Sequence, residues 1–293
     1  MFNNLRRILS PRSVAIPQHL WEAQLHRFAP LQQLTASARG ELQTLCGQFL
    51  GQKSLSAAAG LTLTDAMQLH IAAQACLPIL QLGLGWYRGW HGIVVYPARF
   101  RVRRRVQDEM GLEHDLDETL AGEAWDGGPV VLSWEDSAPA GEQAADTSED
   151  ARRPISGNVV IHEFAHTLDL LSGTANGMPP LDRRLHAGLD AARWAVVLED
   201  AYERFCAELD LLESEIPADM DPESAAADDI YSRLPLDPYA ASDPAEFFAV
   251  SSEALFVAPD PLAAAFPEWY EILARFYRLD AESRLTQSAQ RPR

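Results

Sequence analysis

The chain has 293 residues, 47% of them hydrophobic, and a formal charge of −18 from 24 basic and 42 acidic side chains. That apolar content suffices for one large core or two smaller ones, and the acidic balance argues against general binding to nucleic acid or anionic membranes, which needs clustered Lys and Arg. Three widely spaced cysteines, Cys46, Cys76 and Cys206, make no disulfide framework and read as small apolar residues of a reducing compartment.

Residues 1–19 carry arginines but no apolar stretch of signal-peptide length, and read as a flexible arm. A helix is expected from Ala36 to Gln52, with Leu42, Leu45 and Phe49 on one face. A second, largely buried helix is expected from Thr62 to Leu82, capped at Thr64. The run Ile71 to Trp86 is interrupted by Gln74, Pro78 and Gln81 and is too short and polar to span a membrane, so a soluble cytoplasmic protein is expected. Gly83 to Gly92 is a Gly/Trp-rich turn, and Ile93 to Tyr96 is a short strand stopped by Pro97. The alternation Arg99-Phe100-Arg101-Val102-Arg103, continued by Arg104 and Arg105, has the period of a strand. Its arginines are read as a solvated face balanced by the eight acids between Asp108 and Asp126, rather than as a contact for a substrate carboxylate. Gly128 to Trp134 (GPVVLSW) is the clearest strand of the middle region. It fits either an edge strand that an extended peptide joins through main-chain hydrogen bonds or an interior core strand. Residues 138–154 read as a mobile loop.

The run His162-Glu163-Phe164-Ala165-His166 sits in a helix expected from Asn158 to Ser172, with Asn158 as N-cap and Gly173 as stop. Ile161, Phe164, Ala165, Leu168 and Leu171 form its apolar stripe, and His162, His166 and Asp169 occupy an adjoining face. Imidazoles four residues apart can hold one zinc ion, and Glu163 beside them is placed to take a proton from a metal-bound water. A zinc-dependent hydrolase, most often a peptidase, is the expectation.

Catalytic zinc usually has three protein ligands and one open position. The residues after His166, Thr-Leu-Asp-Leu-Leu-Ser-Gly, contain no His, which rules out the metzincin spacing, and His186 lies in a polar segment with no frame. The third ligand is therefore sought on a second helix, Asp243 to Glu253, with Asp243 as N-cap and Pro244 at its first position. Glu246 on that helix fits a metal ligand or a residue that closes a capping box with Asp243. Glu253 fits a partner of a ligating imidazole or an exposed carboxylate, and Asp169 likewise an imidazole partner or a solvated acid. Residues 213–229 hold seven acids and no basic residue and read as a solvated insertion; residues 281–293 read as a disordered tail.

Several stretches together resemble one family: IAAQACLPILQLGLGWYRGWHGIVVYP (71–97), GPVVLSWEDS (128–137), GNVVIHEFAHTLDLLSG (157–173), DPYAASDPAEFFAVSSEALF (237–256) and PEWYEILARFYRLD (267–280). Over roughly residues 30–280 the chain looks like the Mlc titration factor A family of bacterial zinc-dependent peptidases, itself similar to the catalytic domain of anthrax lethal factor. The resemblance implies His162, His166 and Glu246 as ligands of one zinc ion per chain, Glu163 as general base and Tyr239 as an active-site tyrosine. It also implies a peptide substrate and aminopeptidase action. The namesake of the family sequesters Mlc, a transcriptional repressor, so a regulatory role with a repressor partner is the alternative. Together the elements and the resemblance lead us to expect a mostly helical α+β fold. A single metallopeptidase-like domain over residues 20–280 would place a small sheet beside the H-E-x-x-H helix.

Overall fold

The computed structural model describes residues 13–107, 113–120, 122–124, 127–139, 157–217, 220 and 225–279. Helices begin where the sequence offers a cap. After α1 (Gln18–Arg27), Thr35 Oγ1 accepts from the Ala38 N–H at 3.2 Å and opens α2 (Ala36–Gln52). Thr64 Oγ1 likewise accepts from the Met67 N–H at 3.2 Å and opens α3 (Asp65–Cys76). The first of these has the expected bounds. The second is shorter than expected, because Pro78 has no N–H to continue it and the chain breaks into turns and a 3-10 turn, Leu84–Tyr87. Of the expected N-terminal arm, residues 1–12 lie outside the described residues. Val14 packs on α2, its N–H donating to the Gly47 carbonyl at 2.9 Å.

Strands β1 (Ser54–Ala57), β2 (Gly92–Tyr96), β3 (Phe100–Gln107), β4 (Glu113–Leu120), β5 (Gly122–Ala124) and β6 (Val130–Ser133) form two sheets. The larger has the order β1-β2-β6-β5, its first three strands parallel and β5 antiparallel at the edge. GPVVLSW is thus an interior strand, flanked on both sides, and the edge role belongs to β5. Alternation of apolar residues does not distinguish the two cases; only the pairing partners do. The arginine-rich run forms β3 as expected and pairs with acidic β4, with Arg103 opposite Asp117 and Arg105 opposite Asp115.

The short helix α4 (Trp134–Ser137) leads towards α5 (Val159–Asp169), which ends in a 3-10 turn, Leu170–Ser172, and then Gly173 at φ 102°. Val160, Ile161, Phe164, Ala165 and Leu168 of α5 are all fully buried. The Phe164 ring lies 5.0–5.8 Å from those of Tyr87, Trp90 and Phe49, so the third residue of the H-E-x-x-H run is an anchor in the aromatic core. α5 packs on α3, on β5 and β6, and on α8 (Pro244–Val257). Around it lie α6 (Ala191–Ser214), α7 (Ala225–Tyr231), α9 (Pro259–Ala265) and α10 (Pro267–Phe276). The fold is the expected mostly helical α+β arrangement with a small sheet beside α5. Within the acidic segment 213–229, Glu213 and Ser214 are exposed residues that complete α6, and Ala227 of α7 is buried. Most of the segment 138–154, and all of 281–293, lies outside the described residues. No helix among the described residues is long and apolar enough to cross a membrane.

His186 is a buried polar link between the segment after α5 and α10. Its Nδ1 accepts from the Asp182 N–H at 3.0 Å and its Nε2–H donates to the Phe276 carbonyl at 3.1 Å. Only the neutral ring can make both bonds at once, because protonation removes the Nδ1 acceptor, and burial holds its pKa below the ordinary 6.5. The unfolded chain therefore binds the extra proton first. The stability that these bonds contribute is complete above pH 6.5 and is lost as pH falls towards the depressed folded value, by at most about 2 kcal/mol between pH 7.5 and 5. Urea unfolding of the metal-free chain at pH 7.5 and 5 should show a smaller loss in His186→Gln than in the wild type; equal losses would contradict it.

Candidate metal centre

Two capped helix starts aim the site. Asn158 Oδ1 accepts from the Ile161 N–H at 2.9 Å, and its amide donates to Gln74 Oε1 at 2.6 Å, which fixes the first turn of α5 against α3. His162 and His166 follow on one face, their Nε2 atoms 3.1 Å apart. Asp243 Oδ1 accepts from the N–H groups of Ala245 and Glu246 at 2.8 and 3.0 Å and opens α8, with Pro244 at its first position.

The Glu246 carboxylate does not turn back to the cap. Its Oε2 lies 3.0 Å from His162 Nε2 and 3.2 Å from His166 Nε2, across a sequence separation of 80 residues from the latter. Donors held tetrahedrally about 2.0–2.1 Å from one zinc ion lie about 3.3 Å apart, so this triangle has the size and donor types of a zinc site. It is the one such cluster of His, Cys, Asp or Glu among the described residues. Three donors leave a fourth position open, where a structural site would close it.

Glu253, seven residues after Glu246, is buried. Its Oε1 accepts from His162 Nδ1–H at 2.6 Å, and its Oε2 accepts from the Asn158 N–H at 2.6 Å, 95 residues away in sequence. Of its two sequence readings, imidazole partner is the one observed. The bond fixes the His162 tautomer and leaves Nε2 free to ligate. Burial alone would lower the His162 pKa, but the carboxylates of Glu246 and Glu253 outweigh it and raise it well above 6.5. Burial likewise pushes Glu246 up, and the two imidazoles more than reverse this, holding it well below the usual carboxylate range.

Glu163 is buried next to these groups, and burial pushes its pKa up to about 7 against the pull of His162 and His166. Edge strand β5 crosses directly over it. A Cβ built on Gly122 would lie 2.4–2.7 Å from Glu163 Oε1, Cγ and Cδ, so only glycine fits there with the carboxylate in place. Nothing in the sequence marks Gly122, one glycine beside an acidic run. Tyr239 sits on the 3-10 turn Pro238–Ala241, which Asp237 Oδ1 caps by accepting the Tyr239 N–H at 2.9 Å. Its half-exposed ring lies 6.0 Å from that of His162. Asp169 is fully buried, not solvated, and Oδ2 accepts from the N–H groups of Asn176 and Gly177. His186 stands apart, with both ring nitrogens engaged as described above.

Residues 2–278 match the family described as glucose-regulated metallo-peptidase M90. The Mlc titration factor A of Pectobacterium atrosepticum is 38% identical over 267 residues, covering 90% of this chain and 88% of that protein. Those of Salmonella gallinarum and Salmonella typhi are each 37% identical over 257 residues, covering 87% of this chain and 84% of theirs. Similarity along nearly the whole length, joined to an H-E-x-x-H helix and a carboxylate helix that meet at one point, makes the chain a member of the glucose-regulated metallo-peptidase M90 family.

Proposed function

We propose that the chain is a zinc metallopeptidase with one zinc ion, in which His162, His166 and Glu246 are the ligands, Glu163 is the general base and Tyr239 is the donor to the carbonyl under attack. The observation that carries this reading is the triangle of donors 3.0–3.2 Å apart with a buried carboxylate beside it that is not part of it. Bound zinc would supply Lewis acidity and a water of near-neutral pKa. Glu163 takes the water proton and passes it to the leaving amine. The Tyr239 hydroxyl donates to the carbonyl oxygen as negative charge gathers there. The edge strand β5, which crosses over Glu163, is where an extended peptide adds through main-chain hydrogen bonds. One connected core from Trp21 to Tyr277 supports treating residues 20–280 as a single peptidase domain.

The test is turnover of a mixed panel of fluorogenic peptides by zinc-loaded protein, with and without a chelator. Chelator-sensitive cleavage restored by zinc supports the reading, and no cleavage of any member counts against it. Aminopeptidase action, the finer reading, requires that peptides with free N-termini be cut and their acetylated forms spared. Tyr239→Phe should keep zinc and slow turnover about a hundredfold, as loss of one such donor does elsewhere. Glu253→Ala should weaken zinc binding about 10–100-fold, read by competition with a chromophoric chelator, because His162 loses the bond that orients it.

The name of the relatives, Mlc titration factor A, favours a second reading alongside the first: this chain, in the cytoplasm, binds a repressor of the Mlc kind. Co-purification with such a repressor, unchanged by Glu163→Gln, would separate binding from catalysis.

A further inference from the structure

Asp169 ends α5, three residues beyond His166, and its side chain is fully buried. Its Oδ2 accepts from the Asn176 N–H at 2.8 Å and the Gly177 N–H at 2.6 Å, which folds residues 173–177 back against the helix end. Gly177 has φ +77°, a left-handed conformation, and its carbonyl accepts from Trp194 Nε1–H of α6 at 2.8 Å. Its third side is closed by α8. A Cβ on Gly177 would lie 2.5 Å from the Pro244 carbonyl oxygen, 3.2 Å from the Pro244 carbonyl carbon and 2.9 Å from Leu198 Cδ2. Pro244 is the first residue of α8, two before Glu246.

The metal donors stand on two helices, so the triangle depends on how the first turn of α8 is seated against α5. We infer that Gly177, pinned by Asp169, is the spacer that sets this seat and thereby holds Glu246 against His162 and His166. Neither residue touches the metal; both are positioning residues, and the inference rests on the ligand set proposed above. A methyl group at 177 meets backbone, which cannot swing aside as a side chain can. Pro244 must move, and Glu246, in the same helical turn, moves with it. Ligand distances tolerate only about 0.2 Å of error.

The test is a zinc competition titration on the full chain, with helix content of each metal-free variant measured beside it. Gly177→Ala should weaken zinc binding about 10–100-fold. Gly173→Ala is the control, because Gly173 is also left-handed, at φ 102°, but a Cβ there has nothing within 4 Å. It carries the backbone strain without the collision and should bind as the wild type. Asp169→Ala should match Gly177→Ala, and Asp169→Asn, which keeps an acceptor for the two amides, should recover most of the affinity. Should Gly177→Ala not fold, the Asp169 pair decides the matter. Wild-type affinity in Gly177→Ala or Asp169→Ala, while Glu246→Ala has lost zinc, overturns the inference. Wild-type affinity in Glu246→Ala instead removes the ligand set on which it stands.

Discussion

Glu163→Gln is expected to keep its zinc and to lose turnover by about 10²–10⁴-fold, the range that a general base contributes. The carboxylate is not one of the three converging donors, and Gln has the same shape, so the metal site and the tight contact with Gly122 survive the change. What disappears is the ability to accept a proton. A base works best when its pKa lies near the operating pH, and burial beneath β5 brings Glu163 to about 7 before any cation is bound. A bound dication favours the ionised form and shifts the group downward. The acid limb of kcat/KM should therefore lie below pH 7, with the rate falling as pH drops and Glu163 protonates. Steady-state rates at matched zinc content decide the point. A variant within a factor of ten of the wild type would assign the base elsewhere.

Glu246→Ala is expected to lose tight zinc altogether, well beyond the effect of Glu253→Ala. Two imidazoles remain, one short of the three protein ligands that hold catalytic zinc. The imidazoles keep Glu246 ionised, so no proton has to leave it when the metal arrives. His162, whose pKa is raised, does have to release one, and zinc affinity should rise with pH for that reason. Metal content after gel filtration, followed by competition titration, measures both. One tightly held zinc in Glu246→Ala would return that residue to the role of a first-turn carboxylate in α8.

What the sequence disclosed was local. Asn158, Asp243 and Pro244 start helices by bonds that span two or three residues, and the apolar stripe of α5 follows from its own period. The placing of His162 and His166 on one face needs nothing beyond that helix. The remainder depended on partners distant in the chain. Glu246 and a capping-box glutamate look alike until α5 is brought against α8. Glu253 and Asp169 are buried only because other segments cover them. GPVVLSW has the apolar pattern of either kind of strand, and β2 and β5 on its two flanks settle which it is. Gly122 matters because of what passes beneath it, which no neighbour in sequence reports.

The bonds between α5 and α8 also set a timetable. Glu246 lies 80 residues beyond His166, and Glu253 lies 95 beyond Asn158. A chain made from its N-terminus at about 5–20 residues per second exposes both histidines roughly 4–16 s before the glutamate that completes their site. During that interval the nascent protein has two imidazoles, a base and no third donor, and loop closure across so long a span follows the local helices rather than leading them. On the proposed ligand set, metal capture is then a late step of biosynthesis. A chain truncated before α8 lacks Glu246, so any activity that needs the proposed third donor would belong to finished copies alone, set by the order in which the residues are joined.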